Sequence, residues 1–234
     1  MTKIGWIVDV QNDFMLPPEE GGRLYVRDLG DDTDAGAVQA RERIERAVAW
    51  MQEHCRTLVF TGDWHAHDDA EIDAENPDQE GGTYPPHCMG LSDDPAEREG
   101  AEIIPSIRPA DPLLLERGAT SERAQEVARL AVETRRPVFI RKERFSVFDG
   151  NRGTEPFLAE LQRLLGELEI YLAGVARDVC VTQAVDGMQE RGYRTVAIAD
   201  ATWGLGLEDE AATLARWSEN GRVVRTDELV EDGG

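Results

Sequence analysis

Residues 168–183 read LEIYLAGVARDVCVTQ. Leu168, Ile170, Tyr171, Leu172 and Ala173 form a short apolar run with the β-branched and aromatic content of a buried strand. Val181, Ala184, Val185 and Met188 then recur at i, i+3, i+4 and i+7, one face of a helix. A strand feeding a helix is thus predicted, with Cys180 close to the helix N-terminus. Unpaired N–H groups and the positive dipole end at that place lower the pKa of a thiol. The amides of Ala176 and Cys180 are placed to hold a developing oxyanion. The plain alternative for Cys180 is a buried structural cysteine, a common use of the residue.

The same alternation runs outward along the chain. Ile4 to Val10 reads as a buried strand broken at its end by Asp9, followed by the turn formers Gln11, Asn12 and Asp13. Residues 17–36 are rich in Pro, Gly and Asp and read as a loop. Ala37 to His54 is an amphipathic helix through Val38, Ala40, Ile44, Ala47, Val48 and Met51. Thr57 to Thr61 is a second strand, ending in Gly62 and Asp63.

Residues 91–117 lack periodicity apart from short apolar patches at Ile103–Ile104 and Leu113–Leu115. Ser121 reads as the N-cap of a helix reaching about Arg135. Pro137 to Arg141 is a third strand with Lys142 at its end, and Thr154 caps a helix carrying Phe157, Leu158 and Leu161. After the strand and helix around Cys180 come a strand at Arg194–Ala199, a helix over 207–219 and a strand at Arg222–Arg225. The Glu/Asp/Gly tail is expected to fray.

Strands alternating with helices predict an α/β fold: one Rossmann-like, three-layer domain over residues 1–234. A central parallel sheet of about six strands has helices on both faces. Asp9, Asp63, Lys142 and Cys180 all fall at or just beyond the C-terminal ends of strands. In an open parallel sheet those ends share one edge, where ligands bind, so four reactive residues converge there.

Composition narrows the partners. Acidic residues number 47 against 25 basic, a net charge of −22. Phosphate backbones and anionic membranes would be repelled, so neither nucleic acid nor membrane is expected as a partner. No run of 18 apolar residues is present to cross a bilayer, and the N-terminus lacks a signal-peptide layout. Three widely spaced cysteines, Cys55, Cys88 and Cys180, make no disulfide framework and point to a reducing cytoplasm. A closed homo-oligomer is the expected assembly.

Three of the four histidines, His65, His67 and His87, lie between positions 65 and 87. Asp63 at a strand end, His65 two residues on and His87 from a distant loop suit a borderline divalent metal. Two histidines and one carboxylate leave coordination positions open. Turn-capping histidines on a solvated loop are the alternative.

Five motifs together resemble the nicotinamidases and the wider isochorismatase-like cysteine hydrolases. They are VDVQNDF at residues 8–14, GDWH at 62–65, PPHC at 85–88, Lys142 ahead of FSVF at 145–148, and GVARDVCV at 174–181. The resemblance implies a catalytic triad of Asp9, Lys142 and Cys180, an oxyanion hole at Ala176 and Cys180 behind a cis peptide, and a metal on Asp63, His65 and His87. Zinc is the first choice, with manganese or iron as alternatives, and His67 is a further candidate ligand. Phe14 and Tyr84 are expected as ring-packing walls. Departures are Tyr84 where nicotinamidases often place Trp, Arg177 where Thr is common, the long loop between His65 and His87, and an insertion over roughly 91–135 relative to compact family members, expected as a lid or a subunit contact.

The expected reaction is hydrolysis of nicotinamide to nicotinate and ammonia through a cysteine thioester, in pyridine-nucleotide salvage. The alternative is a related hydrolase of a carbamoyl or ureido compound such as N-carbamoylsarcosine or ureidoacrylate. Isochorismate hydrolysis comes last, because vinyl-ether cleavage needs no nucleophilic cysteine.

Overall fold

The apolar runs become parallel strands of one sheet, seen in a computed structural model that describes residues 1–78 and 81–229. The strands are β1 (Thr2–Val8), β2 (Leu58–Asp63), β3 (Leu113–Leu115), β4 (Val138–Lys142), β5 (Leu168–Val175), β6 (Arg194–Trp203) and β7 (Arg222–Val224). Their order is β3-β4-β2-β1-β5-β6-β7, and every pairing is parallel. About six strands were expected and seven are present. The addition is β3, the Leu113–Leu115 patch, which pairs with Val138–Ile140 at the sheet edge. Three residues are too few for a period-2 signal, so only tertiary pairing reveals it.

The helices are α1 (Asn12–Met15), α2 (Arg41–His54), α3 (Pro95–Ala101), α4 (Ser121–Thr134), α5 (Val147–Gly150), α6 (Thr154–Leu165), α7 (Thr182–Glu190) and α8 (Glu210–Asn220). Alternate residues of the central strands face opposite layers, as the pleat requires. Ile7, Phe60, Tyr171 and Ile198 pack with Ile44, Ala47, Val48 and Met51 of α2. Trp6, Val8, Val59, Ile140 and Leu172 pack with Val127 of α4, Leu161 of α6, Val185 of α7 and Trp217 of α8. The expected three layers are therefore present.

Several boundaries move for local reasons. β1 stops at Val8, because Asp9 turns out of the strand with φ of 52°. The predicted helix over Ala37–His54 starts as a 3-10 turn, Gly36–Ala40, before α2. Thr120, not Ser121, caps α4, accepting from the Arg123 amide. Thr154 is no cap; its hydroxyl donates to the Val147 carbonyl at 2.9 Å.

The stretch 91–135, read as an insertion, supplies β3 and α4 to the sheet and its covering layer. Its earlier part, with α3, pairs with the exit of β1 through a Gln11–Ile103 bridge. The acidic tail expected to fray lies, from residue 230 on, outside the described residues.

The strands that matter for chemistry are the four central neighbours β4, β2, β1 and β5. Asp63 sits opposite Lys142 across β2 and β4, and Val8 opposite Gly174 across β1 and β5. Gly174 has φ of 132°, and a Cβ there would stand 2.0 Å from the Val8 carbonyl oxygen. Only glycine lets β5 leave the sheet so close to β1.

Candidate active site

Asp9, Asp63, Lys142 and Cys180 meet where these four strands end, and all four are buried. Lys142 is the hub. Its Nζ donates to Asp63, lies 2.9 Å from Asp9 Oδ2 and 3.9 Å from Cys180 Sγ. Burial would depress the ammonium pKa, but Asp63 and then Asp9 outweigh it and hold Lys142 charged well above its usual value. The carboxylates diverge. Burial and Asp63 raise Asp9 against the pull of Lys142, whereas Lys142 and the two histidines lower Asp63 against its burial.

Asp9 Oδ1 accepts from the Thr61 hydroxyl at 2.7 Å. Oδ2 faces the Lys142 ammonium at 2.9 Å. An oxygen of Asp9, one of Asp63 and Cys180 Sγ lie within 4.8 Å of one another. A buried carboxylate beside a thiol is placed to take its proton.

Cys180 comes after β5 and just ahead of α7, close to a helix N-terminus as expected. It lies inside a π-helical turn, Arg177–Val181, that precedes α7. π turns of this kind occur frequently at functional sites. The predicted lowering of its pKa is reversed: burial pushes the thiol well up, Lys142 pulls it down, and Asp9 and Asp63 push it up again. At rest the group is a thiol, and its proton has to leave when the sulfur attacks. The peptide before Ala176 is cis, and Ala176 and Cys180 both line the cleft.

Beside the triad stand Asp63, His65 and His87, all buried, with donor atoms within 4.8 Å of one another. Asp63 Oδ2 is 4.0 Å from Nε2 of each histidine. The opposite ring nitrogens are committed elsewhere: His65 Nδ1 is 3.1 Å from Asp69 Oδ2, and His87 Nδ1 is 2.8 Å from the Pro85 carbonyl. Arg117 in turn clamps Asp69 with bonds of 2.8 and 2.9 Å. Among the described residues, His65 Nε2 is buried without a hydrogen-bond partner, a costly state unless a ligand takes the lone pair. Burial, against the opposing pull of Asp63, holds His87 down at about 4, so its ring is neutral at pH 7. Inward-facing Nε2 atoms with fixed tautomers beside a carboxylate fit a divalent ion.

His67 is not brought to this group. It lies exposed, with Nε2 3.0 Å from Glu97. Phe14 and Tyr84 do reach the cleft, with ring centroids 5.5 and 6.1 Å from that of His87.

Other lining residues were given no lining role from sequence, although Phe145 belongs to the FSVF motif. Phe145 packs edge-on to Tyr84 at 5.4 Å. Leu24, Val26 and Leu29 come from the 17–36 loop. That loop pairs with α1 through Val26 N to Phe14 O, and with the far wall through Leu29 N to Leu205 O. Its aliphatic residues lacked a periodic signal. Glu71 was also hidden, as one acid among many in its loop. It is buried beside the site, and burial followed by Asp63 raises its carboxyl to about 7. The cleft encloses about 600 Å³ including its open mouth, and no Lys or Arg is among its lining residues.

Comparison with known proteins agrees with this geometry. The family profile described as Isochorismatase domain matches residues 115–228. The nicotinamidase/pyrazinamidase of Mycobacterium tuberculosis is 28% identical over 212 residues, spanning 89% of this chain and 90% of that protein. The pyrazinamidase of Pyrococcus horikoshii, solved in complex with zinc, superposes with a TM-score of 0.61 at 23% identity, over 96% of this chain and 99% of that one. The N-carbamoylsarcosine amidase of Thermoplasma acidophilum has the same TM-score, 0.61, at 21% identity over 97% and 98%. The two solved structures establish a shared fold.

Proposed function

For a chain that is isochorismatase-like in sequence and fold and resembles the nicotinamidases, we propose hydrolysis of nicotinamide to nicotinate and ammonia by Cys180. The carrying observation is a cleft holding the thiol, walled by Phe14, Tyr84 and Phe145, with no cationic side chain in its lining. A flat, neutral heteroaromatic amide gains from those walls. N-carbamoylsarcosine, ureidoacrylate and isochorismate all carry carboxylates. Such substrates would meet a strongly acidic protein and a lining without Lys or Arg to pair with the carboxylate. The carbamoyl reading remains second, supported by the fold shared with N-carbamoylsarcosine amidase.

The chain's own groups divide the work. Asp9 takes the Cys180 proton as Sγ attacks the carboxamide carbon. The amides of Ala176 and Cys180 hold the tetrahedral oxyanion. Asp9 returns the proton to the departing nitrogen, which leaves as ammonia with the thioester behind it. Asp9 then takes a proton from water, whose oxygen attacks the thioester carbon, and the Cys180 thiol is regenerated. Lys142 stays protonated throughout and favours the anionic form of Asp9 between its proton transfers. Asp63, His65 and His87 would hold a divalent ion, with zinc preferred, and it would supply a Lewis acid beside the substrate ring. This activity belongs to pyridine-nucleotide salvage and to a reducing cytoplasm, where the three free cysteines stay thiols.

The test is ammonia release from nicotinamide by purified, zinc-loaded protein, with Cys180→Ala as the blank. The wild type should turn over, and the variant should lose at least about three orders of magnitude in kcat, as removal of a nucleophile does in related designs. Activity on N-carbamoylsarcosine but not on nicotinamide would replace this reading with the second one.

A further inference from the structure

The motif at the exit of β1 carries more buried polar side chains than the chemistry above uses. Between Asp9 and Phe14, Gln11 and Asp13 are both fully buried, and neither lines the cleft. Both are spent on the backbone of the segments that bear the three metal-site donors.

Gln11 grips Asp63 from both sides. Its Oε1 accepts from the Asp63 amide at 2.8 Å, and its Nε2 donates to the Asp63 carbonyl at 2.7 Å. Nε2 also donates to the Ala101 carbonyl at 2.7 Å. One side-chain amide thus does for Asp63 what a neighbouring strand does for a ladder residue.

Asp13 acts on the other two donors. Its Oδ2 accepts from the amide of Cys88, next to His87, at 2.6 Å. Cys88 has φ of 46°, a left-handed conformation that few non-glycine residues adopt. The Cys88 carbonyl in turn accepts from the His65 amide at 2.9 Å. Asp13 therefore holds the turn that aims His87, and through it the backbone of His65.

The support is itself anchored. Asn12 N donates to Glu102 O and Ile104 N to Val10 O, so the motif's backbone is paired while its side chains reach across. A Cβ on Gly100 would stand 2.2 Å from Asp13 Oδ2, so the α3 backbone closes over this carboxylate.

We propose that Gln11 and Asp13 are positioning residues that set Asp63, His65 and His87 in their ligating arrangement before the ion arrives. The inference rests on the metal reading above. It gives one six-residue segment two tasks: Asp9 serves the nucleophile, and its neighbours serve the metal. Groups that orient ligands typically change metal affinity 10–100-fold when lost.

The experiment is zinc titration against a chromophoric chelator, using metal-free wild type, Gln11→Met, Asp13→Asn and Gly100→Ala. Near-UV circular dichroism and the urea midpoint of each metal-free protein are recorded alongside. Gln11→Met keeps the shape and removes the grip on Asp63. Asp13→Asn keeps the shape and an acceptor but removes the charge. Gly100→Ala displaces the same carboxylate from another element. The expected result is zinc binding weaker by at least about tenfold for Gln11→Met and Gly100→Ala, and less for Asp13→Asn, with native spectra retained. Folded variants that bind zinc within twofold of wild type, whatever their urea midpoints, would overturn the positioning role alone. Wild type that takes up no zinc would overturn the metal reading and this inference with it. If Gly100→Ala does not fold, the two isosteric variants decide.

Discussion

Lys142 shows how one side chain joins two sites. It is buried between Asp9 and Asp63, with its ammonium close to Cys180 as well. Leaving those carboxylates without a cation is costly, because the interior does not screen them. Lys142→Met should therefore destabilise the metal-free protein by about 3–5 kcal/mol, measured by urea unfolding at pH 7. A loss below about 1 kcal/mol would show that water or protonation already compensates the pair. Cys180 teaches the complementary lesson. Its position after a strand was legible in sequence, but the sign of its pKa shift was not. Burial and two carboxylates, contributed by β1 and β2, outweigh the lysine from β4.

Elements carry the geometry, and helices α4 and α6 illustrate their coupling. Glu160 of α6 is bonded to Arg163 of its own helix, at 2.7 and 2.9 Å, and to Arg129 of α4 at 3.0 Å. The Arg163 bonds come first among the causes that lower its carboxyl pKa to about 2. A depressed acid contributes stability above its ordinary value of 4.5, and that contribution is lost as pH falls towards 2. Glu160→Gln should thus lower Tm at pH 7 and converge with wild type near pH 2–3. A Tm difference that is constant across this range would assign the effect to packing instead.

Element boundaries also mark how far the chain could be read. The long apolar runs gave their strands within a few residues. β3 was missed because Leu113–Leu115 is defined by pairing with β4 rather than by any pattern of its own. The loop over 17–36 was placed correctly as irregular chain. Its role as a cleft wall depends on bonds to Phe14 and Leu205, both remote in sequence.

Over the whole molecule the net charge of −22 sets the background. Self-repulsion of this size disfavours the compact state, and salt relieves it. Tm should rise as NaCl is increased from about 0.01 to about 0.15 M, because the Debye length falls from about 30 to about 8 Å. A flat or falling Tm would mean that the many Arg–carboxylate pairs on the surface already offset the repulsion. On the proposed reaction, the same charge would favour release of the anionic product. Among the described residues, no helix is long and apolar enough to cross a membrane.

By itself, the sequence determined the α/β class, the parallel sheet, and the placing of Asp9, Asp63, Lys142 and Cys180 at one edge. These follow from local periodicity and from the rule that parallel strands end on the same side. Only the tertiary structure decided that Lys142 pairs with both Asp9 and Asp63. It also decided that His67 faces solvent, that Glu71 is buried, and that Gln11 and Asp13 grip the donor segments. These outcomes depend on distances between residues far apart in the chain and on the dielectric around them. Burial and charge pairing are properties of the assembled interior, and no stretch of sequence carries them alone.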